Sequence, residues 1–119
     1  MRSQHVETGD APVIPRPDLN PAALRAACAV IAPHLLAAYD HAKEQALATA
    51  LEQDSIRPLH AYLAHWASLI EIERHPETAK AYHQAEYLAH IATTPDEARS
   101  HLIIASGIYR DAAEAVRGA

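Results

Sequence analysis

The chain has no phenylalanine, one cysteine, one methionine, one tryptophan and only three glycines in 119 residues. Each shortage excludes something. A lone Cys28 forms no internal disulfide and makes no thiolate zinc site by itself. Gly9, Gly107 and Gly118 stand too far apart for a glycine-rich phosphate loop. No stretch approaches the eighteen consecutive apolar residues of a membrane span, and Met1 to Arg16 holds no apolar core of a secretory signal. The expected protein is therefore cytoplasmic. Basic residues are also scarce, ten Lys and Arg against fifteen Asp and Glu for a net charge of −5, and no helix gathers three of them on one face. Direct nucleic-acid binding is not expected from such a chain, whereas a basic partner suits it.

What the chain does have is alanine. Twenty-seven alanines fill almost half of the 50% hydrophobic fraction, a helix-former's composition. Val, Ile and Leu make up only about a fifth of the chain, near the level at which charged sequences lose folded structure. One thin-cored domain is expected over residues 19–119. Nine histidines would carry the net charge from −5 to +4 if all were protonated.

Residues 1–18, with Pro12, Pro15 and Pro17 and no periodicity, read as an extended or disordered arm. Asn20-Pro21 opens a first helix with Leu24, Cys28 and Ile31 on its apolar face, and Pro33 ends it. The second helix, about His34 to Gln53, has a stripe that includes Leu35, Leu36, Tyr39, Leu47 and Leu51. A third begins near Pro58 and carries Tyr62, Leu63, Trp66, Leu69 and Ile70, the densest apolar face in the chain. Trp66, Tyr62, Leu63, Leu36 and Tyr39 are the expected core. His75-Pro76 breaks the chain before a fourth helix to about Ala92, whose stripe ends at Ile91. Thr94-Pro95-Asp96-Glu97 is a capping box that opens the fifth, with Leu102, Ala105, Ile108 and Ala112 on its stripe. Gly107 in mid-helix costs about 1 kcal/mol relative to alanine and is expected to permit a close helix crossing. No strand-period segment appears, so the fold class is all-α: a compact bundle of about five short helices.

Catalytic signals are absent. Ser55, Ser68, Ser100 and Ser106 lie in no nucleophile-elbow context. Cys28 sits among alanines as a small core residue, and Glu71 and Glu73 project to different sides of their helix. No enzyme and no cofactor is expected. The candidate metal ligands are His60, His83, Glu86 and His90, but His83 and His90 are seven residues apart, about 10 Å of helix rise. One ion could join them only at a site assembled between helices, for example through His60. Tyrosine suits half-buried protein contacts, and Tyr87 lies off the main stripe of the fourth helix. Tyr87, Glu86 and Glu73 are therefore the expected partner-binding residues.

Four segments occur in a distinctive order: Pro21-Ala-Ala-Leu-Arg25, Leu35-Leu36-Ala-Ala-Tyr39-Asp40, Pro58-Leu59-His60 leading into Leu63 and Trp66, and His75-Pro76-Glu77. Over about residues 19–91 this resembles a family of small uncharacterised actinobacterial proteins encoded beside toxins of the ribosome-dependent ribonuclease type. The chain departs from that pattern at Ala67-Ser68 and by a further helix over 93–119. The resemblance implies an antitoxin-like role and assigns no functional residue. The expected function is thus a non-enzymatic protein-binding module that masks a basic protein. The alternatives are a self-associating helical protein and, third, a histidine-dependent metal-binding protein.

Overall fold

A computed structural model describes residues 10–118. Among them the structure is all-α: α1 (Pro21–Ile31), α2 (Leu36–Gln53), α3 (Arg57–Glu73), α4 (Pro76–Ile91) and α5 (Pro95–Arg117). No helix among the described residues is long and apolar enough to cross a membrane.

Local chemistry accounts for the helix ends. Asn20 Oδ1 accepts the Ala23 amide at 2.8 Å, and Pro21 occupies the first turn of α1. Pro33 stops α1, but the chain continues as a single 3-10 turn, Pro33–Leu35, into α2. Asp54 closes α2 in the left-handed region at φ 51, and its amide and that of Ser55 reach back to Ala50. Thr94 Oγ1 accepts the Glu97 amide at 3.1 Å, as the capping box requires. The return bond goes one residue further out, from the Thr93 amide to Glu97 Oε1 at 3.0 Å.

Helix α3 is central and packs against each of the other four helices. Around it Leu24, Cys28, Tyr39, Tyr62, Trp66 and Ile70 form the main core, with Leu36 and Leu63 half-buried beside them. Tyr39 is the hub. Its ring lies 5.4 Å from Tyr62 and 5.2 Å, edge-on, from Trp66, and its hydroxyl donates to the Pro21 carbonyl at 2.7 Å. The Tyr62 hydroxyl, by contrast, is buried and makes no hydrogen bond among the described residues. Removing an unsatisfied buried group relieves a desolvation cost of about 1–3 kcal/mol. Tyr62→Phe is accordingly expected to leave stability unchanged or raise it by about 1 kcal/mol. A chemical-denaturation midpoint below wild type would contradict this. A second, thinner cluster joins Ile72, Ala79 and Ala112 beneath α4 and α5, with Tyr82, Ile108 and Tyr109 against it.

Three expectations change. First, the arm divides. Residues 1–9 lie outside the described residues, but residues 10–18 are extended and bound across the α3–α4 junction. The Val13 amide donates to the Arg74 carbonyl at 2.8 Å, Arg74 donates to the Ile14 carbonyl at 3.1 Å, and Ile14 packs on the main core. Second, the stripes overrun the core. Leu47, Leu51, Ile91 and Leu102 are exposed rather than buried; Leu47 and Leu102 stand at open recesses between helices that do not close over them. Third, Gly107 marks no close crossing. A Cβ there would meet only a distal Arg110 nitrogen at 3.6 Å.

Candidate functional site

Two places concentrate features that a thin helical core does not explain: the ionic junction under the extended segment, and the outer half of the α4–α5 hairpin.

At the junction Glu71 is the centre. Its side chain, 8% exposed, accepts paired bonds from Arg16 at 2.9 and 3.0 Å and from Arg74 at 2.8 and 3.2 Å. His75 Nε2 stands 3.3 Å from the same carboxylate, and its Nδ1 2.9 Å from the Asp10 carbonyl. Burial pushes the Glu71 carboxyl up, but the bonds and charges of Arg16 and Arg74 outweigh it and hold it at about 2. Asp10 then caps α4 from 67 residues away: Oδ1 accepts the Glu77 and Thr78 amides at 2.9 and 3.0 Å, and Oδ2 accepts the Thr78 hydroxyl at 2.7 Å. Burial opposes ionisation of Asp10 as well. The Thr78 and Glu77 bonds prevail and lower its pKa. Every polar group here faces another part of the chain, so the junction is a clasp. Only the charge of Glu71 on an apolar helix face hinted at it in the sequence.

The outer hairpin is different. α4 and α5 run antiparallel. α5 meets α3 in its second half, where the Tyr109 hydroxyl lies 2.8 Å from His65 Nδ1 and Val116 borders a recess with Ala61. The first half of α5, with the part of α4 that it faces, forms the outer hairpin, or overhang. On this overhang Tyr87 and Ile91, one turn apart on α4, are 62% and 50% exposed. Leu102, Ile103 and Ile104 on α5 are 51%, 64% and 53% exposed. Three consecutive aliphatic residues at 100° steps cannot share a face, so they form a belt around α5. A shallow cleft of about 260 Å³ runs between the two helices, lined by Tyr82, Glu86, Leu102 and Ser106 among others. Burial and the neighbouring Glu86 carboxylate push the Tyr82 phenol up to about 12, which keeps it protonated and able to donate.

The structure separates the residues expected to bind a partner. Tyr87 and Glu86 are exposed on the overhang. Glu73 is not free: its side chain is 11% exposed and bonded to His83 Nε2 at 2.5 Å. The candidate metal ligands do not converge. His83 and Glu86 lie 3.8 Å apart, but His60 is thirteen residues before Glu73 on α3, about 20 Å of helix rise. Among the described residues no group of three or more metal-type donors assembles. Cys28 is buried, and burial raises its thiol pKa. The exposed belt at Leu102–Ile104 was not anticipated as such, though its signal was present: three adjacent large aliphatics in one helix.

Of the cations among the described residues, Arg16, Arg25, Arg74 and Arg99 are engaged in ion pairs within the chain. The others are scattered over α2 to α5. Comparison with known proteins adds one match and two blanks. No curated protein and no solved structure matches the chain. A family model described as a family of unknown function, DUF6247, matches residues 12–106, from the extended segment to the middle of α5.

Proposed function

We propose that this chain, which belongs to the DUF6247 family of unknown function, is a non-enzymatic protein-binding module that engages its partner through the α4–α5 overhang. The observation that carries the reading is the group of five large apolar side chains, Tyr87, Ile91, Leu102, Ile103 and Ile104, each at least half exposed on one helical hairpin. Isolated exposed apolar residues are ordinary on a protein surface, but a concentrated group marks a contact site. Its mixture of one aromatic and several aliphatic anchors beside the Glu86 carboxylate is the chemistry of an interface core with a polar rim.

The fuller reading is of an antitoxin-like or accessory partner in a bacterial cytoplasm that masks a basic protein. The net charge of −5 and the pairing of four arginines within the chain support a basic partner over a nucleic acid. Co-expression with the product of the adjacent reading frame, followed by size-exclusion chromatography and native mass measurement, tests it. A stoichiometric heterocomplex is the expected product. In the Ile103→Asp and Tyr87→Asp variants affinity should fall at least about tenfold, with the thermal midpoint unchanged because both side chains are exposed. If the chain elutes alone, the antitoxin-like reading fails.

Self-association is the second reading. A second outward group, Leu47, Leu51 and Ile56, lies toward the opposite end of α3 and gives one copy two separate apolar surfaces. A homo-oligomeric mass that persists without any second protein would select this reading.

A further inference from the structure

Between the start of α1, the middle of α2 and the start of α3 the surface falls into a recess of about 280 Å³. Pro21, Leu47, Ile56, Leu59 and Leu63 wall it, and no carboxylate lines it. The left-handed turn at Asp54 separates α2 from α3 at this end, and Ile56 just after it remains 61% exposed. The recess is concave and apolar, at the small end of the range for ligand sites. A concave apolar wall favours a compact aliphatic chain over the broad side of a helix.

Charge defines the other end of its occupant. Lys43 and His60 both border the recess, Lys43 half-buried and His60 exposed, which puts them at its mouth rather than on its floor. Since the lining is apolar, Lys43 contributes its methylenes to the wall and turns its ammonium toward solvent. Asp40, the carboxylate that its charge reaches, already takes two bonds of 2.8 Å from Arg25. Among the described residues Lys43 has no ion-pair partner. A cation outside any ion pair at the rim, with a ring N–H donor from His60 beside it, presents donors and no acceptor charge.

We infer that this recess binds a medium-chain aliphatic monocarboxylate, with the chain against Leu47, Leu59 and Leu63 and the carboxylate between Lys43 and His60. The site lies on α2 and α3, so it stands or falls independently of the partner surface on α4 and α5.

Octanoate, butanoate and octan-1-ol titrated into protein carrying labelled Leu and Ile methyls test the inference. Octanoate should give saturable shifts at Leu47, Ile56, Leu59 and Leu63 and none at Ile103. Butanoate should bind more weakly, by roughly fourfold for each methylene lost from the buried chain. Lys43→Gln should weaken octanoate by about 1.5- to fivefold, the range of a solvent-exposed ion pair, and leave octan-1-ol unaffected. Shifts of equal size at Ile103 would mean unspecific adsorption and overturn the site. So would absence of saturation, or a Lys43→Gln variant that binds octanoate as tightly as wild type.

Discussion

Glu71→Ala should lower the unfolding free energy by about 3–5 kcal/mol, the cost of leaving buried charge uncompensated. The substitution strips the shared acceptor from Arg16 and Arg74, and Arg74 is itself buried. Two measurements check it: urea denaturation for the magnitude, and hydrogen exchange at the Val13 amide, whose bond to Arg74 depends on the clasp. A loss under 1 kcal/mol, or an unchanged Val13 exchange rate, would refute the clasp. Acid should act as a milder form of the same substitution. The folded-state pKa of Glu71 is depressed from the ordinary 4.5 to about 2, and that of Asp10 is lowered as well. A depressed carboxylate contributes stability that is fully present above its unfolded pKa and is lost as pH falls through the folded one. The loss should therefore begin near pH 4.5 and continue to about pH 2, and for Glu71 amount to about 2 kcal/mol after allowance for solvent screening. In Glu71→Ala this part of the acid transition should disappear.

Tyr39→Ala is expected to cost about 3–5 kcal/mol, the range for deleting a large buried side chain where the surroundings cannot close the gap. Tyr39 is 0% exposed and touches both other aromatic members of the main core. With no phenylalanine in the chain and Ala27 and Ala67 among the buried side chains of the same cluster, little side-chain volume can move in to fill the void. Tyr39→Phe separates the ring from the hydroxyl: it keeps the edge-on contact with Trp66 and loses only the bond to the Pro21 carbonyl, for about 1 kcal/mol. Trp66 fluorescence and near-ultraviolet circular dichroism should change in the alanine variant and hardly at all in the phenylalanine variant. Equal losses in the two would show that the hydroxyl's bond to α1, and not the ring's packing on α3, carries the contribution of Tyr39.

The helices were legible because their signals are local. Asn20, Thr94 and the prolines at 21, 76 and 95 act on amides within one turn, and the caps lie where those residues stand. Tyr39, Tyr62 and Trp66 were legible as core because they combine size with helical spacing. The clasp was not. Asp10 caps a helix 67 residues away, and an extended segment with three prolines has no period that could announce a docking site. Glu71 and Glu73 were legible as pointing apart, but the sequence names neither Arg16 nor His83 as the respective partner. The outward leucines and isoleucines show a further limit. Periodicity identifies which side chains share a face; whether another helix arrives to cover that face depends on packing order. Leu47 and Leu102 have the spacing of buried residues and lie open at the edges of recesses between helices. Tyr87 and Glu86 were legible as exposed candidates by leaving the stripe, while of the Leu102–Ile104 belt only Leu102 was read, as part of the stripe.

The clasp also sets an order of events during synthesis. Arg16 and Asp10 leave the ribosome early, yet their partners at Glu71, Arg74 and Thr78 follow 55 to 68 residues later. Closing a loop of that length costs roughly 3–4 kcal/mol of chain entropy, which local helix contacts do not require. The segment of residues 10–18 should consequently settle only after α1 to α3 have met and α4 has begun. A ribosome stalled before Glu71 emerges would carry a chain in which α1 and α2 have formed while residues 10–18 remain open to proteases.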